Sequence, residues 1–335
     1  MSNYLGQFWT PLPISHRMLA LRQNFGTVLE PCCGIGAISD LIPGVVALEV
    51  DASLLPPAYA IVDEFLDWNG ERLFDTIIGN PPYVRRGGRS TELLTASANL
   101  YLVFIEQAVR HLTQHGELIY IVPREWLNLT SAKKLVAWMR AQGCITDWIE
   151  VPGKSAGWSG ADVDTAIFRF ECGAQGRWPF DADGTPLDEL FEIVVGAVTG
   201  DNKAYADPAG TPLLCSDRSI RHYRQGKWIR QLPVAARAPT PRIYLNAKTR
   251  RPDPFFLHPA IPHDGSLLAL IPRDPAIDLT MWCQHLNSID WFARGFGCDG
   301  RLTFPVGALK ETRISRSPRQ QTRSLGQYIP QEHQQ

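Results

Sequence analysis

Asn80-Pro81-Pro82-Tyr83 is the run in this chain whose residue types could do chemistry together. Its two prolines fix the backbone and withhold N–H groups, so the Pro81 carbonyl can point outward beside the Asn80 side chain. Both groups are acceptors. Two acceptors aimed at an –NH2 group hold its hydrogens and turn its lone pair, otherwise delocalised into a ring, towards an electrophile. That is positioning and electrostatic catalysis, with no covalent intermediate and no strong base. Tyr83 adds a face on which a planar substrate can stack, worth about 1–3 kcal/mol for a base on an aromatic ring. A plain proline-rich turn after a strand would explain the prolines but not these neighbours.

Three acidic positions precede this run, each at the end of an apolar stretch. The first lies in Leu29-Glu30-Pro31-Cys32-Cys33-Gly34-Ile35-Gly36, after which a helix is expected. Gly34 and Gly36 would let backbone approach a nucleotide-like ligand closely. The longer G-x-G-x-x-G of dinucleotide folds is absent, and Glu30 would repel a phosphate but suit a cation. Glu49 falls where doubly wound sites place an acid on ribose hydroxyls. Asp63-Glu64-Phe65 ends the third stretch. There either acid could accept from an adenine amino group, with Phe65 packing on the ring.

The elements that must position these residues read as a doubly wound α/β domain with a mostly parallel, seven-stranded sheet. Strands are expected at Thr27–Glu30, Val45–Val50, Tyr59–Val62, Asp75–Ile78, Glu117–Val122, Asp147–Val151 and Thr165–Phe170. Amphipathic helices are expected at Ser15–Asn24, Leu100–Leu112 and Ser131–Ala141. Composition shifts to Gly, Pro and Asp around Cys172–Gly184, which reads as a linker. The expected organisation is therefore a domain over 1–175, a smaller irregular α+β domain over 185–314, and a loosely ordered basic, Gln-rich tail over 315–335.

A chain of 335 residues, 44% hydrophobic, can bury one large core and one small one. Its net charge of −1 divides unevenly: residues 1–202 hold 14 Lys and Arg against 24 Asp and Glu, and residues 203–335 hold 19 against 10. A basic second part suits a polyanionic partner. Seven cysteines without a C-x-x-C pair indicate neither a metal site nor a disulfide framework. No apolar run approaches the roughly 20 residues that span a bilayer, and Met1 to Pro13 lacks a secretion-signal layout, so a cytoplasmic protein without membrane partners is expected.

Taken together, these motifs resemble the S-adenosylmethionine-dependent amino-methyltransferases, in particular the N6-adenine DNA methyltransferases with a C-terminal target-recognition domain. Gln7-Phe8-Trp9-Thr10-Pro11 is similar to that family's cofactor-covering motif, which implies contacts to the methionine moiety from Phe8 and Thr10 beside Pro11. Glu30-Pro31 with Gly34 and Gly36 is similar to its D/E-P-x-x-G-x-G turn, and Glu49, Glu64-Phe65 and Asn80 to Tyr83 follow in the family's order. Where Glu64 stands the family often has Asp, which leaves Asp63 or Glu64 as the adenine contact. The family's base-stacking Phe or Tyr before the last strand is missing, and Trp158 stands in that region. Val195 to Lys203 resembles the opening of a recognition domain, in which Lys203, Arg250 and Arg251 are assigned to DNA. The resemblance implies S-adenosylmethionine as cofactor, double-stranded DNA as substrate and a cognate restriction endonuclease as partner. The same tetrapeptide also serves enzymes that methylate protein glutamine or RNA, and an inactive nucleic-acid-binding module is the third reading.

Overall fold

The computed structural model describes residues 9–54, 56–68, 72–85, 90–95, 98–153, 163–196, 206–223, 241–298 and 300–315. Two compact units divide between Phe180 and Asp181. Among the described residues no helix is long and apolar enough to cross a membrane.

The first unit runs α1 (Leu12–Ala20), β1 (Val28–Glu30), β2 (Val46–Glu49), β3 (Ile61–Val62), β4 (Phe74–Gly79), α2 (Leu100–Arg110), β5 (Leu112–Pro123), α3 (Lys133–Gln142), β6 (Gly143–Val151) and β7 (Thr165–Cys172). Its seven strands form one doubly wound sheet, ordered β3-β2-β1-β4-β5-β7-β6. The strands from β3 to β5 are parallel, and β7 is antiparallel to both its neighbours. Chain order reverses between β1 and β4, and such a switch opens a crevice beyond the carboxyl ends of the two strands. Both faces are covered, and the side-chain alternation of β5 shows how. Leu118, Tyr120 and Val122 join the core with α2 and α3, while Ile119 and Ile121 pack with Ile14 and Met18 of α1.

Two local expectations are corrected here. The helix expected at Ser15–Asn24 runs instead from Leu12 to Ala20. Proline suits a first helical turn, so Pro11 and Pro13 start it early. Its continuation is blocked because the buried Glu117 carboxylate takes the N–H groups of Gln23 and Asn24, at 3.1 and 2.9 Å. The same carboxylate binds Thr76 and pairs with the buried Arg169 at 2.6 Å, tying the end of this segment to β4, β5 and β7. Second, no α-helix follows β1. Residues Ser39–Leu41 make a single 3-10 turn, and Ile42 is extended ahead of Pro43, as a residue before proline must be. The stretch at 172–184, expected as a linker, contains the division between the units, and its first part packs on the first unit, with Trp178 buried against Phe170 and Phe180 on Trp148.

The second unit contains β8 (Thr185–Pro186), α4 (Leu187–Leu190), β9 (Phe191–Val195), β10 (Ala206–Leu214), β11 (Ile220–Tyr223), β12 (Pro241–Asn246), β13 (Lys248–Thr249), β14 (Phe255–Pro259), β15 (Leu267–Pro272), α5 (Leu279–Ser288), β16 (Gly297–Cys298), β17 (Arg301–Thr303), α6 (Val306–Glu311) and β18 (Arg313–Ile314). A four-stranded antiparallel sheet, β14-β12-β15-β9, is its centre. Helix α5, capped by Asp278 on the N–H groups of Thr280 and Met281, joins one face of it through Trp282 and Leu286. Most of the described aromatic residues of this part are structural rather than displayed for a partner, Phe292 being 37% exposed. Tyr244, Phe255, Phe256, Trp282, Trp291 and Phe296 are 0 to 7% exposed. Trp228 and the side chain of Tyr223 lie outside the described residues, as does the tail beyond Ser315.

Candidate active site

Glu30 ends β1 and Asn80 follows β4, and parallel pairing of these strands, with Leu29 beside Ile77, brings the two ends together at the sheet's switch point. The cleft there is lined by Thr10, Glu30, Gly34, Glu49, Asp63, Glu64, Phe65, Asn80 and Pro82 among the expected residues. It is a concave site that mixes these polar groups with apolar walls such as Val50, Leu54 and Phe104, as small-molecule sites do.

The turn after β1 is shaped by glycine. Gly34 (φ +55°) and Gly36 (φ +92°) are both left-handed, and a side chain on Gly36 would strike Pro57 at 2.6 Å. Gly36 therefore serves the turn and is not part of the cleft lining. Gly34 donates its N–H to Glu49 Oε2 at 2.8 Å, and Asp51 donates to Oε1 at 2.9 Å. Glu49 is thus buried and pinned by backbone at the end of β2, and each carboxylate oxygen can still accept from a ligand hydroxyl.

Glu30 is 2% exposed, is hydrogen-bonded through Ser39, and has an Oε2 with no partner among the described residues. Burial pushes its pKa up from 4.5 to about 8, and the nearby Asp40 and Glu49 carboxylates add to the rise. An unpartnered buried carboxylate oxygen is a seat for a cation, which would restore the charged form. The neutral form that stabilises the empty protein prevails at low pH and is lost as pH rises towards about 8. Glu30→Gln is accordingly expected to gain on the native protein by up to about 1.4 kcal/mol per pH unit across that window. Melting curves from pH 5 to 9 check this, and parallel curves for the two proteins would contradict it.

At the third strand, Asp63 Oδ1 accepts from Glu64 N and Oδ2 from Trp68 Nε1 at 2.7 Å, while Glu64 Oε1 accepts from Leu66 N. Both acids reach the cleft. Phe65, expected to pack on an adenine ring, is among the residues that line the cleft. Phe65 is 1% exposed and packs on Phe104, Trp68 and His111, because α2 and the turn it belongs to close over it.

Asn80 is held through both its side chain and its main chain. Its Nδ2 donates to Thr10 Oγ1 at 3.2 Å, and its main-chain carbonyl accepts from the Cys32 thiol at 3.4 Å. Burial pushes that thiol's pKa up, which keeps its hydrogen in place. Pro81 is buried, and Pro82 lines the cleft. Tyr83 stands outside the cleft lining, half-buried. Its hydroxyl donates to the Ile121 carbonyl at 2.8 Å and its ring meets Tyr101 edge-on. Pro11 caps α1 rather than lining the cleft.

Several expected residues are placed elsewhere. Arg250 and Arg251 are exposed in the second unit, just after β13. Phe8, Trp158 and Lys203 lie outside the described residues. Sequence reasoning missed Trp9, Cys32, Val50, Leu54 and Phe104 as lining residues. Trp9 had a signal, since it sits inside a motif already singled out, and its ring lies over Gly34, 3.2 Å from where a Cβ would be. Val50 and Leu54 had none.

Residues 57–156 match the Eco57I restriction-modification methylase family. That stretch holds β3 through β6, hence Asp63, Glu64 and Asn80 to Tyr83. The chain is 28% identical over 309 residues to the type II methyltransferase M.TthHB8I of Thermus thermophilus, covering 81% of this chain and 65% of that protein. It is 27% identical over 186 residues to the type II methyltransferase M.HincII of Haemophilus influenzae, covering 50% and 37%. The chain thus spans less than two thirds of these relatives. Among solved structures, the cryo-EM structure of a DrdV–DNA complex shares the fold at a TM-score of 0.56 and 12% identity, over 79% of this chain and 49% of that one.

Proposed function

We propose that the protein is a site-specific DNA methyltransferase that moves a methyl group from S-adenosylmethionine to adenine N6, as the modification enzyme of a restriction-modification system. The observation that carries this reading is the meeting of Glu30 and Glu49 with Asn80 in one cleft. The donor set fits the cofactor: the orphaned Glu30 oxygen suits its cationic part, Glu49 its ribose hydroxyls, and Asp63 or Glu64 its adenine amino group. When bound, S-adenosylmethionine supplies an electrophilic methyl group.

The chain's own residues do the remaining work. Asn80 Oδ1 and the Pro81 carbonyl accept the two hydrogens of the target amine, which frees its lone pair from the ring. Cys32 holds the main chain of Asn80 and Thr10 its side chain. The target base must leave the duplex to enter such a cleft. Tyr83, anchored on Ile121, offers it a fixed ring rather than a mobile one. Support for DNA as the substrate comes from the relatives' own description as type II methyltransferases. The basic excess adds to it, although eight of the 19 Lys and Arg from residue 203 onward lie outside the described residues.

The test is transfer of tritium from labelled S-adenosylmethionine to duplex DNA, RNA and protein in parallel, followed by digestion of the DNA to nucleosides. Label is expected in N6-methyladenine. Label in cytosine, RNA or protein, or none, would overturn the reading.

A further inference from the structure

Thr10 offers one oxygen to Asn80, and that oxygen sits at the border between the cofactor cleft and the catalytic tetrapeptide. It is held there by structure. Thr10 precedes Pro11, the N-cap of α1. Helix α1 is packed through Ile14 and Met18 on Ile78, Ile119 and Ile121. The segment after the helix is fastened by Glu117 on Gln23 and Asn24. The preceding residue, Trp9, lies over Gly34 of the glycine turn. Thr10 and Asn80 both line the cleft.

A carboxamide has nearly the same shape with its ends exchanged, so packing alone does not decide which end meets a substrate. Turned the wrong way, Asn80 would present N–H groups to the N–H groups of the target amine. A hydroxyl by itself does not decide either, because it can accept from Nδ2 or donate to Oδ1. It decides once its single hydrogen is given to something else. Thr10 faces a cleft proposed to hold a ligand with an anionic carboxylate, and a hydroxyl that donates to such an acceptor is left only with lone pairs for Asn80. Donating to an anion also makes that oxygen a stronger acceptor.

We propose that Thr10 is a positioning residue that relays occupancy of the cofactor cleft to Asn80: with its hydrogen taken by the bound ligand, its oxygen can only accept from Nδ2, which sets the Asn80 carbonyl for the target amine. The inference rests on the methyl-transfer reading above, and it separates two roles in one side chain. Contact with the ligand contributes to affinity, whereas the hold on Asn80 contributes to turnover.

Thr10→Val removes the hydroxyl and keeps the branched shape, and Thr10→Ser restores the hydroxyl alone. At saturating S-adenosylmethionine, Thr10→Val is expected to lower kcat roughly tenfold, equivalent to about 1.4 kcal/mol, with Thr10→Ser within threefold of the native enzyme. A residue that only helped to bind cofactor would regain full turnover at saturation. A second measurement needs no activity. The Asn80 side-chain amide is assigned in nitrogen-15 spectra by its loss in Asn80→Ala, and its hydrogen exchange is followed with and without S-adenosylhomocysteine. In the native protein exchange is expected to slow when the ligand is added; in Thr10→Val it is expected not to change. Native-like kcat for Thr10→Val, equal loss in the Val and Ser variants, or ligand-independent exchange in the native protein would each overturn the relay. Failure of the native enzyme to transfer label would instead refute the functional reading, while the exchange experiment still reports on Thr10 and Asn80.

Discussion

Asn80→Ala is expected to lose methyl transfer by at least about 100-fold, the loss typical when one preorganised transition-state partner is removed, while cofactor affinity stays within several-fold. The two effects separate because cofactor binding is assigned to Glu30, Glu49 and Asp63 or Glu64, whereas Asn80, whose Nδ2 donates to Thr10 and whose main-chain carbonyl accepts from Cys32, is assigned to the target amine. Alanine cannot hold a hydrogen of the target amine, so the lone pair stays in the ring. Single-turnover transfer of label measures the first quantity and calorimetry the second. Near-normal turnover would remove Asn80 from the mechanism.

The second large effect belongs to Glu49. Glu49→Ala deletes the acceptors proposed for the cofactor's ribose hydroxyls and leaves the N–H groups of Gly34 and Asp51 without the carboxylate they now use. Losing a hydrogen bond to a charged group costs about 1.5–3 kcal/mol, so cofactor affinity should fall roughly 10- to 150-fold. Glu49→Gln keeps one carbonyl oxygen and should fall between the two. Unchanged affinity in calorimetry would shift the role to Asp51 or another group.

Much of the first unit is legible in the chain because parallel strands covered on both faces are short apolar runs bounded by turns. The expected Asp75–Ile78 differs from β4 by one residue at each end. What stays hidden depends on partners far away in sequence. The end of α1 is set by a glutamate 94 residues from Gln23, and the burial of Phe65 is set by Phe104 and His111. The second unit hides its topology for the same reason. Its strands are two to nine residues long, and β9 finds its partner β15 more than 70 residues on. The buried Tyr244, Trp282 and Trp291 show why aromatic residues in a basic region do not identify a binding surface by themselves: a small antiparallel core needs large rings as much as a ligand would.

The 3-10 turn at Ser39–Leu41, standing where a dinucleotide fold would start a helix, bears on which molecules can compete for the cleft. A helix beginning behind the glycine turn would aim its positive end at the ligand and welcome phosphate. Here that dipole is missing, and Glu30 and Glu49 line the same space. Adenosine nucleotides share an adenine and a ribose with the proposed cofactor but bring negative charge to Glu30, whose charged form a cation draws out and an anion suppresses. Exclusion of such look-alikes is then a matter of charge at the 5′ end rather than of shape, so a nucleoside inhibitor for this protein would need a neutral or cationic 5′ substituent.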